Sequence, residues 1–307
     1  MKAAVYEKYG PPEVVEVREV DKPIPKDNEC LVKIHATTVS RGDSRMRSFD
    51  VPGNILTRSL ARLFLGIRGP KRKILGMQLA GEIEEVGKDV TLFKPGDQII
   101  ASSFPTGFGG HAEYISLPED TVMAVKPSNM TFEEAATVPT PGMGAFNVLR
   151  TGNIKDGQRV LIYGASGSVG TYALQIAKSF GAQVTAVCST SNLNWVRNLG
   201  ADHVIDYTKE DFVESGDTYD VIFDAVVKLS HSECKGALTE KGAFLSITNQ
   251  GSETTEELVA LRELIETEMV KAVIDRTYPL EEIVDAYRYV DTGHKKGNVV
   301  LTIGHDR

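Results

Sequence analysis

Cysteine is scarce in this sequence of 307 residues, and long apolar segments are missing. Cys30, Cys188 and Cys234 are odd in number and widely spaced, which excludes a disulfide framework and a recognised metal-ligand spacing. No apolar run approaches the length of a membrane span, and the N-terminus enters a strand-like pattern without a signal peptide. These absences predict a reducing, cytoplasmic compartment and no membrane partner.

An excess of positive charge is also lacking. The formal net charge is −8 at pH 7, which argues against nucleic acid as a partner. The length is sufficient for two domains, and the composition is that of an ordinary globular protein.

The most informative stretch runs from Arg159 to Phe180. Its apolar segment Val160–Tyr163 predicts a buried strand, a glycine-rich turn follows, and helical periodicity begins at Val169. Such a turn brings backbone N–H groups close to a pyrophosphate at a helix N-terminus, although glycines that serve only packing are the alternative. The residues of the turn are Gly164, Ala165, Ser166, Gly167, Ser168, Val169 and Gly170.

Strand-like segments alternate with helical ones after this turn. The predicted strands are Gln183–Cys188, His203–Asp206, Tyr219–Asp224 and Ala243–Ile247. This alternation is typical of a parallel, doubly wound α/β sheet.

Residues 1–121 show no such alternation and predict a mostly β domain. One segment, Ile55–Ile67, differs because Leu56, Leu60, Leu63, Phe64 and Ile67 share a helical face. It is interpreted as a surface helix packed on the β domain, with a substrate lid and a membrane-surface helix as alternatives.

Helices are also predicted around the middle of the chain and near its end. A capping box at Thr131 starts a helix, Val138–Ala145 is expected to break it, and a second helix is expected over Phe146–Arg150. The last element is a strand, Asn298–Ile303.

The chain resembles the zinc-independent quinone oxidoreductase (zeta-crystallin-like) branch of the medium-chain dehydrogenase/reductase superfamily. The resemblance covers nearly the whole chain and is carried by MKAAVYEKYGPPEVV, LAGEIEEVGKDVTLFKPGD, HAEYISLPED, EEAATVP, VLIYGASGSVGTYALQIAKSFGA, LGADHVIDY and VIDRTYPLEEI. It implies a GroES-like β domain (1–122 and 271–307) and a Rossmann domain (123–270), with NADPH and substrate in the cleft.

The positions that bind zinc in related dehydrogenases have different residues here. No cysteine follows the early strand, where Val39–Asp43 reads VSRGD, and Gly76-Met77-Gln78 replaces Gly-His-Glu. Imidazole and thiolate ligands are therefore missing from both places, and no metal site is predicted.

The end of the second strand of the α/β half predicts which nicotinamide cofactor is used. An NAD enzyme has Asp or Glu there, whereas this chain has Ser189. By resemblance, Ser189 and Tyr207 contact the 2′-phosphate of NADPH, so NADPH is favoured over NADH. Relatives often add a Lys or Arg after the serine; this chain has Ser191 and Asn192, and Arg197 is an alternative cation. A plain helix N-cap is the other interpretation of residues 189–192.

The remaining site predictions rest on strand ends and on the resemblance. Asp224, Val226, Thr248 and Asn249 are expected beside the nicotinamide, and Ser40, Asp43, Phe108 and Met143 are the candidate pocket residues. No catalytic residue is assigned: Ser40 fits equally a hydrogen bond to a carbonyl or a cap, and Asp43 is expected to be a cap.

The expected activity is hydride transfer from NADPH to a quinone or an α,β-unsaturated carbonyl compound. The alternatives are an alcohol or aldehyde oxidoreductase on the same fold and a non-catalytic NADPH-binding sensor or scaffold. A homodimer formed through a sheet edge is in doubt, because only Asn249–Ser252 separates the fifth strand from the next predicted helix.

Overall fold

The computed structural model describes residues 1–50, 55–67 and 69–305. The chain divides into two compact units, Met1–Pro139 with Ile274–Arg307, and Thr140–Val273. These boundaries differ from the expected 122/123 and 270/271. The first boundary lies later because residues 123–125 pair with strand 98–102 of the first unit, and a short helix at 132–135 packs on three strands of the same unit.

The described strands are β1 (Lys2–Tyr6), β2 (Val15–Glu19), β3 (Glu29–Thr38), β4 (Gln78–Val86), β5 (Gln98–Ser102), β6 (Tyr114–Pro118), β7 (Met123–Val125), β8 (Arg159–Tyr163), β9 (Gln183–Cys188), β10 (His203–Asp206), β11 (Tyr219–Asp224), β12 (Leu238–Ser246), β13 (Ile274–Pro279) and β14 (Asn298–Thr302). The described α-helices are α1 (Arg41–Ser48), α2 (Ile55–Leu65), α3 (Phe132–Ala135), α4 (Pro139–Thr151), α5 (Ser168–Ser179), α6 (Leu193–Asn198), α7 (His231–Cys234), α8 (Thr255–Glu266) and α9 (Ile283–Asp291).

The first unit is built on a sheet with the strand order β13-β14-β3-β4-β5-β7. Strand β3 is long enough to pair with β6 through Glu29–Lys33 and with β14 through Ala36–Thr38. This second pairing explains why the C-terminal segment returns to the N-terminal unit. Helix α9 covers the core of the unit with Ile283, Tyr287 and Val290, all of which are buried among strand residues.

The second unit contains a parallel sheet with the order β10-β9-β8-β11-β12. The order reverses at β8, whose neighbours are β9 on one side and β11 on the other. Open α/β sheets bind ligands at such a switch point, beyond the carboxyl ends of the strands. Every predicted cofactor residue follows the carboxyl end of one of these strands, so the topology places all of them along the same edge.

The segment 138–145, which was expected to break the helical region, differs from the sequence expectation. The helical region is interrupted only at residues 136–138, and the second helix, α4, begins at Pro139 rather than at Phe146. Its prolines, Pro139 and Pro141, lie in the first turn, where a backbone N–H has no acceptor within the helix. Its glycines permit close packing: a Cβ on Gly142 would lie 2.7 Å from Leu261 Cδ2.

Helix α2 is present, but its predicted packing face is largely exposed. Leu60, Leu63 and Ile67 are 56 %, 57 % and 65 % exposed, so the expectation that this face packs on the β domain is wrong for these three residues. The side chains of Leu56 and Phe64, and residue 68, lie outside the described residues. The helix is held instead by its polar side, where Arg62 lies over the ring of Phe49 and Tyr9 donates a hydrogen bond to the Leu65 carbonyl. None of the described helices is long and apolar enough to cross a membrane.

Candidate functional site

The glycine-rich turn joins β8 to α5 in a conformation that only glycine adopts easily. Gly164 has φ +81°, and its N–H and that of Ala165 both donate to the Val187 carbonyl at 3.1 Å. Gly167 is the N-cap residue of α5, and no side chain caps this helix. The first N–H groups of a helix have no intrahelical acceptor. The N-terminus of α5 therefore offers hydrogen-bond donors and the positive end of the helix dipole to an anion.

The same turn is packed too tightly for side chains at two of its glycines. A Cβ on Gly170 would lie 2.2 Å from the Gly164 carbonyl oxygen, and a Cβ on Gly164 would lie 2.5 Å from Val226 Cγ1. A Cβ on Gly167 would meet only the Gly164 oxygen, at 3.5 Å, and otherwise open space. The turn therefore forms a backbone cradle that is open at Gly167, and Val226 lies against it.

Asp224, at the end of β11, shapes the loop that presents Val226. Its buried carboxylate accepts hydrogen bonds from the N–H groups of Val226, Lys228 and Leu229 at 3.0, 2.7 and 2.8 Å. With these donors its oxygens are directed into the loop. The structure thus brings Val226 to the glycine turn and gives Asp224 a supporting position behind it.

Thr248 and Asn249 form a short 3-10 turn after β12. Ser246 is its cap: its Oγ accepts from the Thr248 N–H at 3.3 Å and the Thr248 hydroxyl at 3.0 Å. The Ser246 N–H donates to Asn249 Oδ1 at 3.3 Å. These bonds fix both predicted residues at the carboxyl end of β12.

Ser189, at the end of β9, does not act as a cap. It is the N-cap residue of the 3-10 turn Thr190–Asn192, yet its side chain makes no capping hydrogen bond. Asn192, the N-cap residue of α6, makes none either. The plain N-cap interpretation of this segment is therefore wrong, and both side chains are engaged elsewhere.

Asn192 connects the glycine turn to the end of β9. Its amide nitrogen donates to Ser166 Oγ at 3.2 Å and to Ser189 Oγ at 3.0 Å, while its Oδ1 accepts from the Trp195 indole N–H at 3.0 Å. Asn192 is 8 % exposed. Asn192 was expected in the place of a cation or in a plain N-cap, and its contacts with Ser166 and Trp195 were not predicted.

Tyr207 follows β10 and is 55 % exposed. Its N–H donates to the Cys188 carbonyl at 3.2 Å, which places it beside the end of β9. The preceding Asp206 accepts hydrogen bonds from the hydroxyls of Thr190 at 2.5 Å and Thr208 at 2.6 Å. The hydroxyl donors lower the pKa of Asp206 to about 2, so this carboxylate ties together the loops that carry Ser189 and Tyr207.

In the first unit, Ser40 and Asp43 form a closed pair at the start of α1. The Ser40 hydroxyl donates to Asp43 Oδ2 at 2.5 Å and accepts from the Asp43 N–H at 3.1 Å. Asp43 is fully buried, and its second oxygen accepts from the Gly76 N–H at 3.1 Å. The geometry is that of a capping box, which agrees with the structural interpretation of both residues.

Met77 and His111 lie close to this pair. Met77 Sδ is 3.8 Å from Ser40 Oγ. His111 is buried and its Nε2 donates to the Thr38 carbonyl at 2.9 Å, so Nδ1 is the acceptor facing the Tyr287 hydroxyl at 3.5 Å. Burial lowers the pKa of His111 and raises that of Tyr287 well above its ordinary value. Both rings are neutral at pH 7 and have structural positions.

The other two pocket candidates have different surroundings. Phe108 is half-buried in a turn with φ +72°, and its ring lies edge-to-face with that of Phe104, with centroids 5.8 Å apart. Met143 belongs to the second unit and is fully buried in α4. Met143 therefore contributes to the packing of that helix.

Among residues 1–50, 55–67 and 69–305, no group of three or more His, Cys, Asp and Glu side chains is arranged to hold a metal ion. At the positions where related dehydrogenases bind zinc, the Ser40 hydroxyl donates a hydrogen bond to Asp43, and the Met77 thioether contacts the same hydroxyl.

Comparison with protein families identifies both units. Residues 26–128 match the alcohol dehydrogenase GroES-like domain, and residues 168–277 match the zinc-binding dehydrogenase family model. These matches agree with the predicted fold class, a GroES-like β domain with a Rossmann-type parallel sheet.

Individual relatives match over nearly the whole chain. A 2-methylene-furan-3-one reductase of Solanum lycopersicum is 33 % identical, covering 98 % of this chain and 79 % of that protein. The NADPH-dependent alkenal/one oxidoreductase, chloroplastic, of Arabidopsis thaliana is 32 % identical with the same coverage. The structure of the quinone oxidoreductase from Coxiella burnetii has a TM-score of 0.87 and 28 % identity, covering 99 % of both chains. The chain therefore belongs to the quinone oxidoreductase branch of the medium-chain dehydrogenase/reductase superfamily, as its motifs predicted.

Proposed function

We propose that this protein transfers a hydride from NADPH to a quinone or to the alkene of an α,β-unsaturated carbonyl compound, without zinc. The observation that carries the proposal is the carboxyl edge of the second unit's sheet. Two adjacent strands end there. The open glycine turn and the N-terminus of α5, which no side chain caps, follow one of them, and Ser189, whose hydroxyl makes no capping hydrogen bond, follows the other. The named activities of the tomato and Arabidopsis relatives support the same substrate class.

The residues at this edge fit a dinucleotide phosphate. The N-terminus of α5 and the backbone around Gly167 bind the pyrophosphate, because donors converge there and no side chain blocks the approach. Ser189 and Tyr207 bind the 2′-phosphate, and no carboxylate stands at position 189 to repel it. Val226, Thr248 and Asn249 lie on the nicotinamide side. When bound, NADPH supplies the hydride.

The chain's own residues position the cofactor and the substrate rather than transfer a proton. The Ser40 hydroxyl donates a hydrogen bond to Asp43 Oδ2, and both side chains are engaged in the capping box of α1. We therefore propose that the proton that completes the reduction comes from water. Ser40 and Met77 replace the imidazole and thiolate ligands that zinc prefers, which supports zinc independence.

A reducing compartment such as the cytoplasm is part of the proposal. Its support is that Cys30, Cys188 and Cys234 are buried free thiols. Burial raises the pKa of each to about 11, which keeps them protonated and unreactive.

The test is NADPH oxidation by metal-free protein, followed by absorbance, with ortho-quinones and enals as acceptors. We expect turnover in the presence of EDTA and a lower rate with NADH. Activity that a chelator abolishes and zinc restores would contradict zinc independence. Tight NADPH binding with no turnover on any acceptor would contradict the reductase proposal and favour a non-catalytic sensor or scaffold. Turnover only with unconjugated aldehydes would favour an alcohol or aldehyde oxidoreductase.

A further inference from the structure

We propose that Asn192 and Trp195 are positioning residues that turn the hydroxyl protons of Ser166 and Ser189 toward the 2′-phosphate of NADPH. This inference rests on the proposed use of NADPH and adds the residues that make two neutral serines selective. It also explains how the chain selects a phosphate without a Lys or Arg at positions 191 and 192.

The contact with Trp195 fixes the orientation of the Asn192 amide. An indole N–H is only a donor, so the 3.0 Å contact with Trp195 Nε1 identifies the facing amide atom as the oxygen. The amide nitrogen must then face the opposite way, toward the serines. It carries two N–H groups, and Ser166 Oγ at 3.2 Å and Ser189 Oγ at 3.0 Å provide one acceptor for each.

Both serine hydroxyls are acceptors toward the Asn192 amide nitrogen. Each hydroxyl accepts an N–H from Asn192 and so keeps its own proton available for another acceptor. A further contact of Ser189 is with Ser191 Oγ at 3.5 Å, the limit of a hydrogen bond. Two half-exposed O–H donors therefore lie within 3.2 Å of one nitrogen and need an acceptor. A phosphate has three acceptor oxygens and satisfies both donors, and donors that are already oriented lose less entropy on binding.

The Asn192 side chain does not cap helix α6. It occupies the N-cap position of α6, where an Asn side chain ordinarily accepts from the helix backbone and stabilises it. Here no such bond forms. The side chain is only 8 % exposed, and it forms its hydrogen bonds with Trp195 and the two serines. Those partners connect the glycine turn after β8 with the end of β9, the two places where the phosphates of NADPH are expected.

Isothermal titration of NADPH and NADH, without an electron acceptor, measures the effect separately from turnover. W195F keeps the ring but removes the N–H, so the amide can rotate and the serines lose their fixed orientation. We expect the dissociation constant for NADPH to rise about three- to tenfold, the loss of roughly one oriented hydrogen bond, while that for NADH changes less than about twofold. N192D, which presents acceptor oxygens to the serines and a negative charge to the phosphate, is expected to weaken NADPH binding more than tenfold.

A double-variant cycle tests whether Trp195 acts through the serines. In the S166A/S189A background, W195F is expected to change NADPH affinity less than about twofold, because the groups it orients are gone. S179A is the matched control, because the Ser179 hydroxyl donates to the Ile176 carbonyl in the last turn of α5, and both affinities are expected to be unchanged. Thermal melting without cofactor shows whether each variant is folded.

The outcomes distinguish this inference from the proposed function. If the unmodified protein prefers NADPH but W195F and N192D weaken NADPH and NADH equally, the positioning role is overturned and the NADPH proposal stands. A loss of NADPH affinity in R197A with none in W195F would assign the selectivity to a cation and overturn the inference. If the unmodified protein does not prefer NADPH, both the cofactor proposal and the positioning role fail.

Discussion

Replacing Gly170 by alanine is expected to disrupt the glycine turn itself. The new Cβ would lie 2.2 Å from the Gly164 carbonyl oxygen and 2.7 Å from the Ala165 Cα, and both obstacles are backbone atoms that no rotamer change can move. Relieving such an overlap typically costs about 2–4 kcal/mol. Alanine gains at most about 1 kcal/mol over glycine in a helix. The net expectation is a loss of about 1–3 kcal/mol in the free energy of unfolding.

Replacing Gly167 by alanine separates cofactor binding from stability. Gly167 has φ −84° and ψ 176°, which alanine adopts without strain, and its Cβ would make only a 3.5 Å contact. The cost is that of an N-cap changed from glycine to alanine, about 0.5–1 kcal/mol. The methyl group would nevertheless occupy the open side of the cradle. We therefore expect G167A to fold and to bind NADPH at least about tenfold more weakly, a loss of about 1.4 kcal/mol in binding.

Urea unfolding and NADPH titration of the two variants test this reasoning. G236A is the matched control, because Gly236 lies in the same unit, has no positive φ and offers its Cβ only a 3.7 Å contact with Val213. We expect both its stability and its affinity to remain close to those of the unmodified protein. G167A that binds NADPH normally would show that the pyrophosphate does not approach this turn. G170A as stable as the control would refute the packing argument.

Three further predictions follow from individual contacts. S40A is expected to lose about 1 kcal/mol of stability as an N-cap but to keep its turnover number within about threefold in an NADPH oxidation assay; a loss above a hundredfold would identify Ser40 as the proton donor. D291N removes the negative charge that pairs with the buried Arg47, whose Nη2 donates to Asp291 Oδ2 at 2.7 Å, and because Asp291 is 31 % exposed we expect a loss of about 2 kcal/mol in urea unfolding; an unchanged midpoint would mean that a neutral acceptor serves Arg47 as well as the carboxylate. The Asp206 pKa is lowered from 3.8 to about 2 in the folded protein, so its stabilisation is complete above pH 3.8 and is lost as the pH falls through about 2; the stability advantage over D206N should therefore shrink only below about pH 4, and a constant difference between pH 5 and pH 3 would contradict the assigned pKa.

The sequence predicted most strands of the second unit closely because their signals are local, whereas the fifth, expected over Ala243–Ile247, is observed over Leu238–Ser246. Gln183–Cys188, His203–Asp206 and Tyr219–Asp224 are observed with the predicted bounds. Each is a short, mostly apolar segment that ends at a turn, and this local pattern is enough to predict a buried strand.

Elements whose stability comes from tertiary contacts were harder to predict. Helix α1 has the sequence RGDSRMRS, with a glycine and little apolar periodicity, and it was not predicted. It is held by the Ser40–Asp43 capping box and by the burial of Arg47 against the Tyr287 ring. The second half of α4 was predicted as a helix over Phe146–Arg150, but its N-terminal half was missed, because its prolines and glycines are unfavourable in a helix interior but suit its first turn and its close packing.

The candidate site shows the same division between residue identity and orientation. The strand ends predicted which residues lie at the cofactor edge, but not which of their hydrogen-bonding groups point outward. The Asp224 carboxylate accepts hydrogen bonds from its own loop, whereas the Ser189 hydroxyl makes no capping hydrogen bond although Ser189 is an N-cap residue. The decisive atom for Ser189 is the indole N–H of Trp195, six residues later in the chain, acting through Asn192. A hydroxyl on a free loop samples several orientations, and a donor placed behind it selects those in which its proton points away. Fixed dipoles of this kind attract an anion because they do not have to reorganise when it binds, so the missing cation at positions 191 and 192 does not by itself argue against NADPH.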